Sequence, residues 1–320
     1  MEIAGDQASN FLITGSSGYI GKHLAQYLIS QDHKVVGIDL NVPPEGMFDS
    51  KNFKFYQGDF SDTKLINSVT REHKVVGIFH LAGLKSVEES MENPELYDRI
   101  NKVGTRLLLD AAIEGGVGYF ILSSTAAVYG PSQEGYLSEH SLIQPSSPYG
   151  QTKFDAEMEL RSSILEGKIQ GVALRYFNVL GAFSHEFKDA STSNIVPKVL
   201  ECIRNGNPPV IFGDDYDTPD GTAVRDYIHV LDVVRAHYLT LNAIFSSELP
   251  LALNIGTGKG FSVKEIIDEV IMQTHSAIAP VVRERRAGDV GKVVAEVSLA
   301  KSEIGFEAEY DLRAMIKSSI

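Results

Sequence analysis

The chain has 320 residues, 43% of them hydrophobic, and a formal net charge of −13. This length fits one large domain or two closely joined ones, with enough chain to bury a full core. A single cysteine, Cys202, excludes an internal disulfide framework and any multi-cysteine zinc site, and the acidic balance argues against a broad nucleic-acid-binding surface. No apolar run approaches the roughly 18 residues of a membrane span, and no signal-peptide pattern is present. We therefore expect a cytoplasmic protein with no membrane partner, whose residues 1–10 fray.

The first half of the chain alternates short apolar, β-branched runs with amphipathic helical patterns. The predicted strands cover residues 11–14, 35–40, 53–56, 75–81, 119–122 and 171–175, and the predicted helices cover residues 18–30, 62–72, 94–114 and 149–165. This alternation predicts a doubly wound parallel sheet with helices on both faces, the Rossmann-type α/β class. Such sheets bind ligands beyond the carboxyl ends of their strands.

The second half of the chain changes character. Polar segments rich in turn-forming residues predict loops, and the remaining amphipathic patterns predict helices. The predicted loops cover residues 178–192 and 205–220, and the predicted helices cover residues 195–204, 231–245, 263–275 and 311–319. We predict a first domain over residues 1–175, built on this sheet, and a smaller mixed α/β substrate-binding cap over residues 176–320, with segments near residues 225–245 returning to the first domain.

A glycine-rich loop follows the first predicted strand and opens the first predicted helix. Gly15, Gly18 and Gly21 have the spacing G-x-x-G-x-x-G, a variant of the dinucleotide-binding fingerprint. The first glycine allows a tight turn, the second lets a pyrophosphate approach the backbone, and the third lets the helix pack on the strand. Asp39 ends the second predicted strand, where a carboxylate bonds the adenosine ribose hydroxyls and repels a 2′-phosphate. The pattern predicts dinucleotide binding, with NAD preferred over NADP.

Tyr149 and Lys153 stand four residues apart at the start of a predicted helix and so share one helix face. A tyrosine with its usual pKa of about 10 is a poor base at neutral pH, but a neighbouring ammonium favours the phenolate, as does a positively charged nicotinamide. The spacing alone is more typical of a surface pair. Thr125 follows an apolar strand, where its hydroxyl can bond the reacting oxygen. Together the three residues predict a proton-transfer site.

Eight separated motifs follow one another along the chain: ITGSSGYIG, HLAGLKSVEES, SSTAAVYG, SPYGQTK, ALRYFNVLGA, DGTAVRDYIHV, LNIGTGKG and RRAGD. In this order they resemble the motifs of the UDP-glucose 4-epimerases, a family of NAD-dependent extended short-chain dehydrogenases/reductases. The resemblance covers about residues 11–306. It implies an isomerase that interconverts UDP-glucose and UDP-galactose through a transient 4-keto sugar, with Tyr149 accepting the proton of the sugar 4-hydroxyl. The pathway, galactose metabolism or the supply of other sugars, stays open.

The resemblance also implies a role for individual residues. The implied catalytic residues are Thr125, Tyr149 and Lys153. The implied NAD-binding residues are Gly15, Gly18, Tyr19, Ile20, Gly21, Asp39, Asp59, Phe60, Leu81, Ala82, Gly83, Lys85, Asn101, Ser123, Tyr149, Lys153 and Tyr176. The implied UDP-sugar-binding residues are Lys85, Thr125, Tyr149, Phe177, Asn178, Asn194, Arg225, Tyr227, Arg286, Asp289 and Val293. No residues are assigned to a metal, because the histidines lack metal-ligand spacing.

Two departures from related sequences bear on the reaction. Nucleotide-sugar 4,6-dehydratases and decarboxylases carry an acidic residue within two positions after the catalytic hydroxyl, where this chain has Ala126 and Ala127. We therefore expect an epimerase, with an NAD-dependent nucleotide-sugar dehydratase or reductase as the alternative. Val293 stands where relatives restricted to glucose and galactose carry a tyrosine. We expect this smaller side chain to admit UDP-N-acetylglucosamine and UDP-N-acetylgalactosamine.

A non-catalytic NAD-sensing protein is the alternative from another class, and the presence of both Tyr149 and Lys153 argues against it. The chain has no tryptophan, and Phe306 follows Gly305 where relatives commonly have a Gly-Trp pair. We expect a shortened final helix on that basis. The resemblance further implies a homodimer built through the helices predicted at residues 94–114 and 149–165.

Overall fold

The structure, a computed structural model, describes residues 9–49, 51–130, 135–189, 191, 194–286 and 289–320. Most of the segment expected to fray, residues 1–8, and Thr192 in a predicted loop lie outside the described residues. The strands are β1 Asn10–Thr14, β2 Lys34–Asp39, β3 Phe53–Gln57, β4 Gly77–His80, β5 Tyr119–Thr125, β6 Gly135–Leu137, β7 Gln170–Tyr176, β8 Asn178–Leu180, β9 Val210–Phe212, β10 Val224–His229, β11 Ala252–Ile255, β12 Gly260–Ser262, β13 Val281–Arg283 and β14 Lys292–Ala295. The α-helices are α1 Tyr19–Ser30, α2 Thr63–Glu72, α3 Val87–Glu92, α4 Pro94–Tyr97, α5 Gly104–Glu114, α6 Pro148–Leu165, α7 Ile195–Arg204, α8 Val230–Ile244, α9 Val263–Thr274, α10 Ser298–Ile304 and α11 Leu312–Ser319.

A seven-stranded sheet forms the centre of the fold, in the order β11-β7-β5-β4-β1-β2-β3, and every pair in it is parallel. Successive side chains of a strand point to opposite faces. Accordingly Phe11 and Ile13 of β1 join the core beneath α1, α8 and α10, whereas Leu12 joins the core beneath α2, α5 and α6. The predicted doubly wound Rossmann-type fold is confirmed.

The main sheet also recruits chain from the second half of the sequence. β11, at Ala252–Ile255, pairs with β7 at one edge of the sheet, although no strand was predicted there. The helix α8 packs on α1, and Phe306 is buried in the same core, where the Arg235 guanidinium lies over its ring. The division into domains near residue 175 stays a prediction, and the structure adds that later segments interleave with the NAD-binding sheet.

A smaller layer covers the carboxyl ends of the main strands. Its sheet has the order β12-β10-β14-β6, β8 pairs with β10, and β9 pairs with β13. The helices α7, α9 and α11 pack around a separate apolar core that includes Val196, Ile266 and Met315. The second, mixed sheet agrees with the predicted α/β cap.

The predicted strands of the first half are all present, with ends shifted by a few residues. The helix predicted at residues 94–114 is interrupted, because residues Asp98–Val103 form a π-helical segment between α4 and α5. The segments predicted as loops at 178–192 and 205–220 contain the three-residue strands β8 and β9. These strands were missed because three residues are too short to show a period.

Candidate active site

The three predicted catalytic residues meet where β5 ends and α6 begins. Thr125 is the last residue of β5. Pro148 opens α6, where a missing N–H costs nothing, and the Ser147 hydroxyl caps the helix by accepting a hydrogen bond from the Gly150 N–H at 3.1 Å. This start places Tyr149 in the first turn of α6, where its phenol lies close to the Thr125 hydroxyl. Lys153 lies one turn further along the same face.

Burial sets the proton affinities of this group. It raises the pKa of Tyr149, and the hydrogen bond from Thr125 opposes that rise. Burial also lowers the pKa of Lys153 to about 8, against the opposing charge of Glu157. Without bound cofactor the pKa of Tyr149 is thus raised, and the expectation that the charges of Lys153 and a nicotinamide favour its phenolate stays a prediction. A lysine with this pKa is still mostly protonated at neutral pH, so its charge is present when a substrate arrives.

The glycine loop between β1 and α1 forms a cradle in which side chains do not fit. Gly15 has φ +73°, and a Cβ there would lie 2.7 Å from the Ala82 backbone nitrogen. A Cβ on Gly21 would lie 2.0 Å from the Gly15 carbonyl oxygen. Gly18 is the N-cap of α1 and brings no side-chain cap, so the first N–H groups of the helix are not satisfied by a capping side chain. These features fit the pyrophosphate of a dinucleotide at a helix N-terminus.

Asp39 ends β2 beside this cradle, at the edge where dinucleotides bind. One carboxylate oxygen accepts a hydrogen bond from the Ser17 N–H at 3.0 Å, and the other accepts one from the Asn41 N–H at 2.9 Å. Each oxygen keeps a lone pair for a further donor, such as a ribose hydroxyl. The carboxylate is therefore held in place and fits the predicted preference for NAD.

Asn101 lies in the π-helical segment, and both ends of its side-chain amide are used by the protein. The carbonyl oxygen accepts a hydrogen bond from the Leu84 N–H at 2.9 Å, and the amide nitrogen donates to the Leu84 carbonyl at 3.0 Å and to Thr152 at 3.4 Å. A Cβ on Gly83 would lie 2.8 Å from that carbonyl oxygen. Asn101 thus joins the loop after β4 to α6. It fits the predicted support of the nicotinamide through the conformation of this loop.

The remaining residues predicted for NAD surround the same edge of the sheet. The Tyr176 hydroxyl forms a hydrogen bond with the His237 ring at 2.7 Å. Burial raises the pKa of Tyr176 strongly, and the Ser123 hydroxyl opposes that rise. Phe60 packs on His80, with ring centroids 4.9 Å apart. Of the residues that follow strand ends, Asp59 and Lys85 are exposed, and Leu81 and Ala82 are partly buried. Tyr19 and Ile20 open α1, and the Tyr19 hydroxyl donates to the Gly181 carbonyl of the cap.

The short strands β8, β10 and β14 bring together four of the residues predicted to bind the UDP-sugar. Asn178 is the register partner of Tyr227, and Arg225 is the register partner of Val293. The Asn178 amide donates to the Asp226 carbonyl at 3.0 Å. Tyr227 is buried, which raises its pKa to about 12 despite the opposing charge of Arg225. Val293 packs in a small apolar cluster with Phe177, beyond the end of β7.

Two arginines stand at the outer side of this group. The Arg225 guanidinium donates to the Val224 and Val290 carbonyls, both at 3.0 Å, and pairs with Asp289 at 3.4 Å. Arg286 is exposed, and its guanidinium lies 4.1 Å from the centroid of the Phe212 ring. These contacts pre-organise two forked cations suited to phosphate oxygens. Asn194 begins α7, and its amide donates to Asp189.

Sequence reasoning missed three residues of this region. Phe212, the last residue of β9, supports Arg286. The Tyr216 hydroxyl is buried and has no hydrogen-bond partner among the described residues. Asp226 is fully buried between Arg225 and Tyr227. The available signal was the run of aromatic and acidic residues in FGDDYDTPDGTAVRDY, whose first part was predicted only as a loop.

Asp226 anchors the strands that carry the sugar-side residues. Its carboxylate accepts hydrogen bonds from the Thr257 N–H at 2.8 Å, the Thr257 hydroxyl at 2.7 Å and the Gly258 N–H at 3.0 Å. It also accepts one from the Ala295 N–H at 3.2 Å. Burial raises its pKa to about 6, and these hydrogen bonds oppose the rise. The side chain joins β10 to β14 and to the turn after β11.

Within the described ranges, no group of three or more His, Cys, Asp or Glu side chains is placed to hold a metal ion. Of the helices in the described part of the chain, none is both long enough and apolar enough to cross a membrane.

Comparison with known proteins gives matches over nearly the whole chain. The model of the NAD dependent epimerase/dehydratase family matches residues 11–256. A UDP-glucose 4-epimerase of Halalkalibacterium halodurans is 35% identical over 311 residues, which cover 96% of this chain and 93% of that protein. The crystal structure of a UDP-glucose 4-epimerase from Stenotrophomonas maltophila, with bound NAD and formylated UDP-arabinopyranose, superposes with a TM-score of 0.92 at 34% identity and covers 97% of this chain and 96% of that one. A UDP-Glc/GlcNAc 4-epimerase from Campylobacter jejuni has a TM-score of 0.87 at 34% identity, with 98% of each chain covered.

Proposed function

The chain belongs to the NAD dependent epimerase/dehydratase family, and we propose that it is an NAD-dependent isomerase that interconverts the 4-epimers of a UDP-hexose, UDP-glucose and UDP-galactose. The observation that carries this proposal is the placement of Thr125 beside Tyr149, with Lys153 one turn away, at the same sheet edge as the glycine cradle. The cradle and Asp39 fit NAD, and the arginines Arg225 and Arg286 fit a diphosphate.

The proposed reaction needs one proton acceptor and one hydride acceptor. Bound NAD would supply the second, a hydride acceptor for carbon 4 of the sugar that can give the hydride back to the opposite face. Tyr149 accepts the proton of the 4-hydroxyl as the carbon–oxygen bond becomes a carbonyl, and it gives the proton back when the 4-keto sugar is reduced. Thr125 lies beside the phenol and can reach the same sugar oxygen, and the charge of the Lys153 ammonium, one turn further along α6, favours the phenolate form.

The cap residues hold the nucleotide part of the substrate. Two guanidinium groups offer forked donors to the diphosphate, and each is already fixed, Arg225 by two backbone carbonyls and Arg286 by the Phe212 ring. A firm hold on UDP leaves the hexose free to present either face. The net charge of −13 does not oppose an anionic substrate, because these local cations dominate the field at short range.

A dehydratase reaction is the second candidate, and the structure offers it less support. Elimination of water next to the 4-keto group needs an acid beside the reacting hydroxyl. The positions after Thr125 form the 3₁₀ turn Ala126–Val128, which supplies only apolar side chains there. A role as a non-catalytic NAD sensor is disfavoured because it would not require the buried Lys153 ammonium, which is costly to keep.

We propose that N-acetylated UDP-hexoses are also substrates. Val293 is a register partner of Arg225 and packs beside Phe177, so its side chain borders the space between the diphosphate cations and the catalytic residues. A valine leaves room there that a tyrosine ring would fill. The Campylobacter jejuni relative is described as acting on both kinds of sugar. Purified protein that converts UDP-galactose but leaves UDP-N-acetylgalactosamine unchanged would refute this extension.

We further propose that the protein works as a cytoplasmic homodimer formed through α4, α5 and α6. Support comes from the family resemblance and from the exposed apolar side chain of Leu165 at the end of α6. The monomer–dimer equilibrium can be measured by sedimentation. Charged substitutions on the outer face of α6 should shift it towards the monomer.

The proposed function is tested by incubating UDP-galactose or UDP-glucose with the purified protein and following the products by NMR. Interconversion of the two is expected, and a 4-keto-6-deoxy sugar would instead indicate a dehydratase. Tyr149→Phe should abolish interconversion while the fold and bound NAD are retained. Full activity in Tyr149→Phe would rule out this residue as the proton acceptor.

A further inference from the structure

A buried ion pair lies directly behind the proposed catalytic lysine. The Arg175 guanidinium contacts both carboxylate oxygens of Glu157, with Nε–Oε1 at 3.0 Å and Nη2–Oε2 at 2.6 Å. The side chains are only 6% and 3% exposed. Glu157 stands one helical turn after Lys153 on α6, and Arg175 immediately precedes Tyr176 at the end of β7.

Each partner of this pair is also tied to the strand ends that form the site. The Ser124 hydroxyl donates to Glu157, and Ser124 is the residue before Thr125 on β5. Arg175 and Ser124 are register partners on adjacent strands. Arg175 also donates to the Tyr129 hydroxyl at 3.0 Å. The ion pair thus joins α6, β5 and β7 at the level of the reacting groups.

Stability alone is a poor reason for such a pair. Taking two charges out of water costs about as much as their attraction returns, so an apolar pair of similar volume is often as stable or more stable. The alternative explanation is that the pair controls the placement of a neighbouring charged group, which an apolar pair would not do. The adjacent group whose function depends most on nearby charges is the Lys153 ammonium, which is also buried and must keep its charge for the proposed reaction.

Lys153 has a carboxylate within one turn of its own helix and yet is not paired with it. Glu157 is close enough to favour the charged form of Lys153. Both oxygens of Glu157, however, bind Arg175, and no carboxylate in the described part of the chain forms an ion pair with Lys153. The ammonium therefore keeps its donors for the Tyr149 phenol and for a ligand.

Other titratable groups around the catalytic pair do not take over this role. Those that face Lys153 or Tyr149 from neighbouring elements are His80 of β4, Tyr97 of α4 with its partner Glu89 of α3, and Tyr176 of β7. Burial keeps the pKa of His80 well below its usual value, so this ring is neutral. Glu89 accepts a hydrogen bond from the Tyr97 hydroxyl at 2.9 Å. Asp155, two residues after Lys153 on α6, does not share the helix face of Lys153 and pairs with Lys102 at 3.2 Å.

We propose that Glu157 and Arg175 are positioning residues for the epimerase reaction: Arg175 occupies both oxygens of Glu157 and so leaves the Lys153 ammonium free for Tyr149, while Glu157 ties α6 to Ser124 and the strand end that carries Thr125. The catalytic part of this inference rests on the proposed function. The placement of the ammonium does not, because it is a property of the protein before any sugar binds.

The test compares a single and a double substitution in the NAD-loaded enzyme. In Arg175→Met, the carboxylate of Glu157 is no longer paired with Arg175 and forms an ion pair with the Lys153 ammonium, which then moves away from Tyr149. Ionisation of Tyr149, read by ultraviolet difference titration against Tyr149→Phe, should then move up by about one pH unit or more. Tenfold less phenolate at a given pH should lower kcat about tenfold with little change in KM.

Removal of the carboxylate should reverse these effects. Glu157→Gln/Arg175→Met has no charge left to capture Lys153, and the glutamine can still accept the Ser124 hydrogen bond. Both the Tyr149 ionisation and kcat per bound NAD should return towards wild-type values. A merely structural pair predicts that neither variant moves the Tyr149 ionisation, and that result would overturn the proposal.

A matched control separates lost stability from lost positioning. Asp232 is fully buried and pairs with Arg235 at 3.4 Å on α8, outside the site. Arg235→Met should lower the melting temperature and leave the Tyr149 ionisation unchanged. If wild-type protein does not interconvert UDP-hexoses, the proposed function fails, and the titration of Arg175→Met still decides the role of the pair. An unchanged Tyr149 ionisation there refutes it.

Discussion

Lys153 is the residue at which function and stability should conflict most clearly. It is 7% exposed, and burial lowers its pKa from the usual 10.5 to about 8. That difference corresponds to roughly 3 kcal/mol by which the folded protein disfavours the ammonium relative to the unfolded chain. Lys153→Met keeps the volume and removes the charge. At pH 7 we expect the nucleotide-free variant to be more stable by up to about 3 kcal/mol, while interconversion of UDP-hexoses is lost.

The stability difference between wild type and Lys153→Met should decrease as the pH rises. Below pH 8 the lysine is protonated in both states and the full penalty is present. Between pH 8 and 10.5 the folded state releases the proton first, so wild-type stability rises with pH and the advantage of Lys153→Met shrinks. Denaturant titrations of both proteins at pH 7 and pH 9.5 measure it. A variant that is less stable at pH 7, or whose advantage grows with pH, would refute the reasoning.

Three further substitutions test the site. Gly15→Ala places a Cβ 2.7 Å from the Ala82 nitrogen at φ +73°. We expect the free energy of unfolding to fall by about 1–3 kcal/mol and the amount of bound NAD to decrease. Thermal melts and the nucleotide content of the purified protein measure the two effects. Asp39→Asn keeps an acceptor for the Ser17 N–H and removes the charge. The ratio of NADP affinity to NAD affinity, measured by calorimetry, should therefore rise about tenfold. An unchanged ratio would contradict the role of Asp39 in selecting NAD. Val293→Tyr should fill the space beside Phe177, abolishing turnover of UDP-N-acetylgalactosamine while UDP-galactose is still converted, and equal losses on both sugars would argue against a size filter.

The cofactor side of the site could be predicted from the sequence because its chemistry is local. Gly15, Gly18 and Gly21 belong to one strand–turn–helix unit, and Asp39 ends the next strand, so the spacing along the chain already implies their positions. Tyr149 and Lys153 are likewise one turn apart on one helix. In these cases a period or a turn relates sequence distance to spatial distance.

The sugar side could not be derived in this way. Arg225 and Val293 are neighbours only through the register of β10 and β14, two short strands far apart in the sequence, and the family resemblance alone nominated them. The partnership of Glu157 with Arg175 is also a contact between a helix and a distant strand. Burial of a charged residue has no pattern of its own in a sequence, so neither this pair nor Asp226 was singled out.

The most direct measurement of the central claim uses UDP-galactose labelled with deuterium at carbon 4, incubated with the purified protein in ordinary water. If the hydrogen taken from carbon 4 is held within the site and returned to the other face, the UDP-glucose formed keeps its deuterium at carbon 4, as mass spectrometry and NMR would show. Loss of the label to solvent, or a product without a 4-hydroxyl, would contradict NAD-dependent 4-epimerisation by this protein.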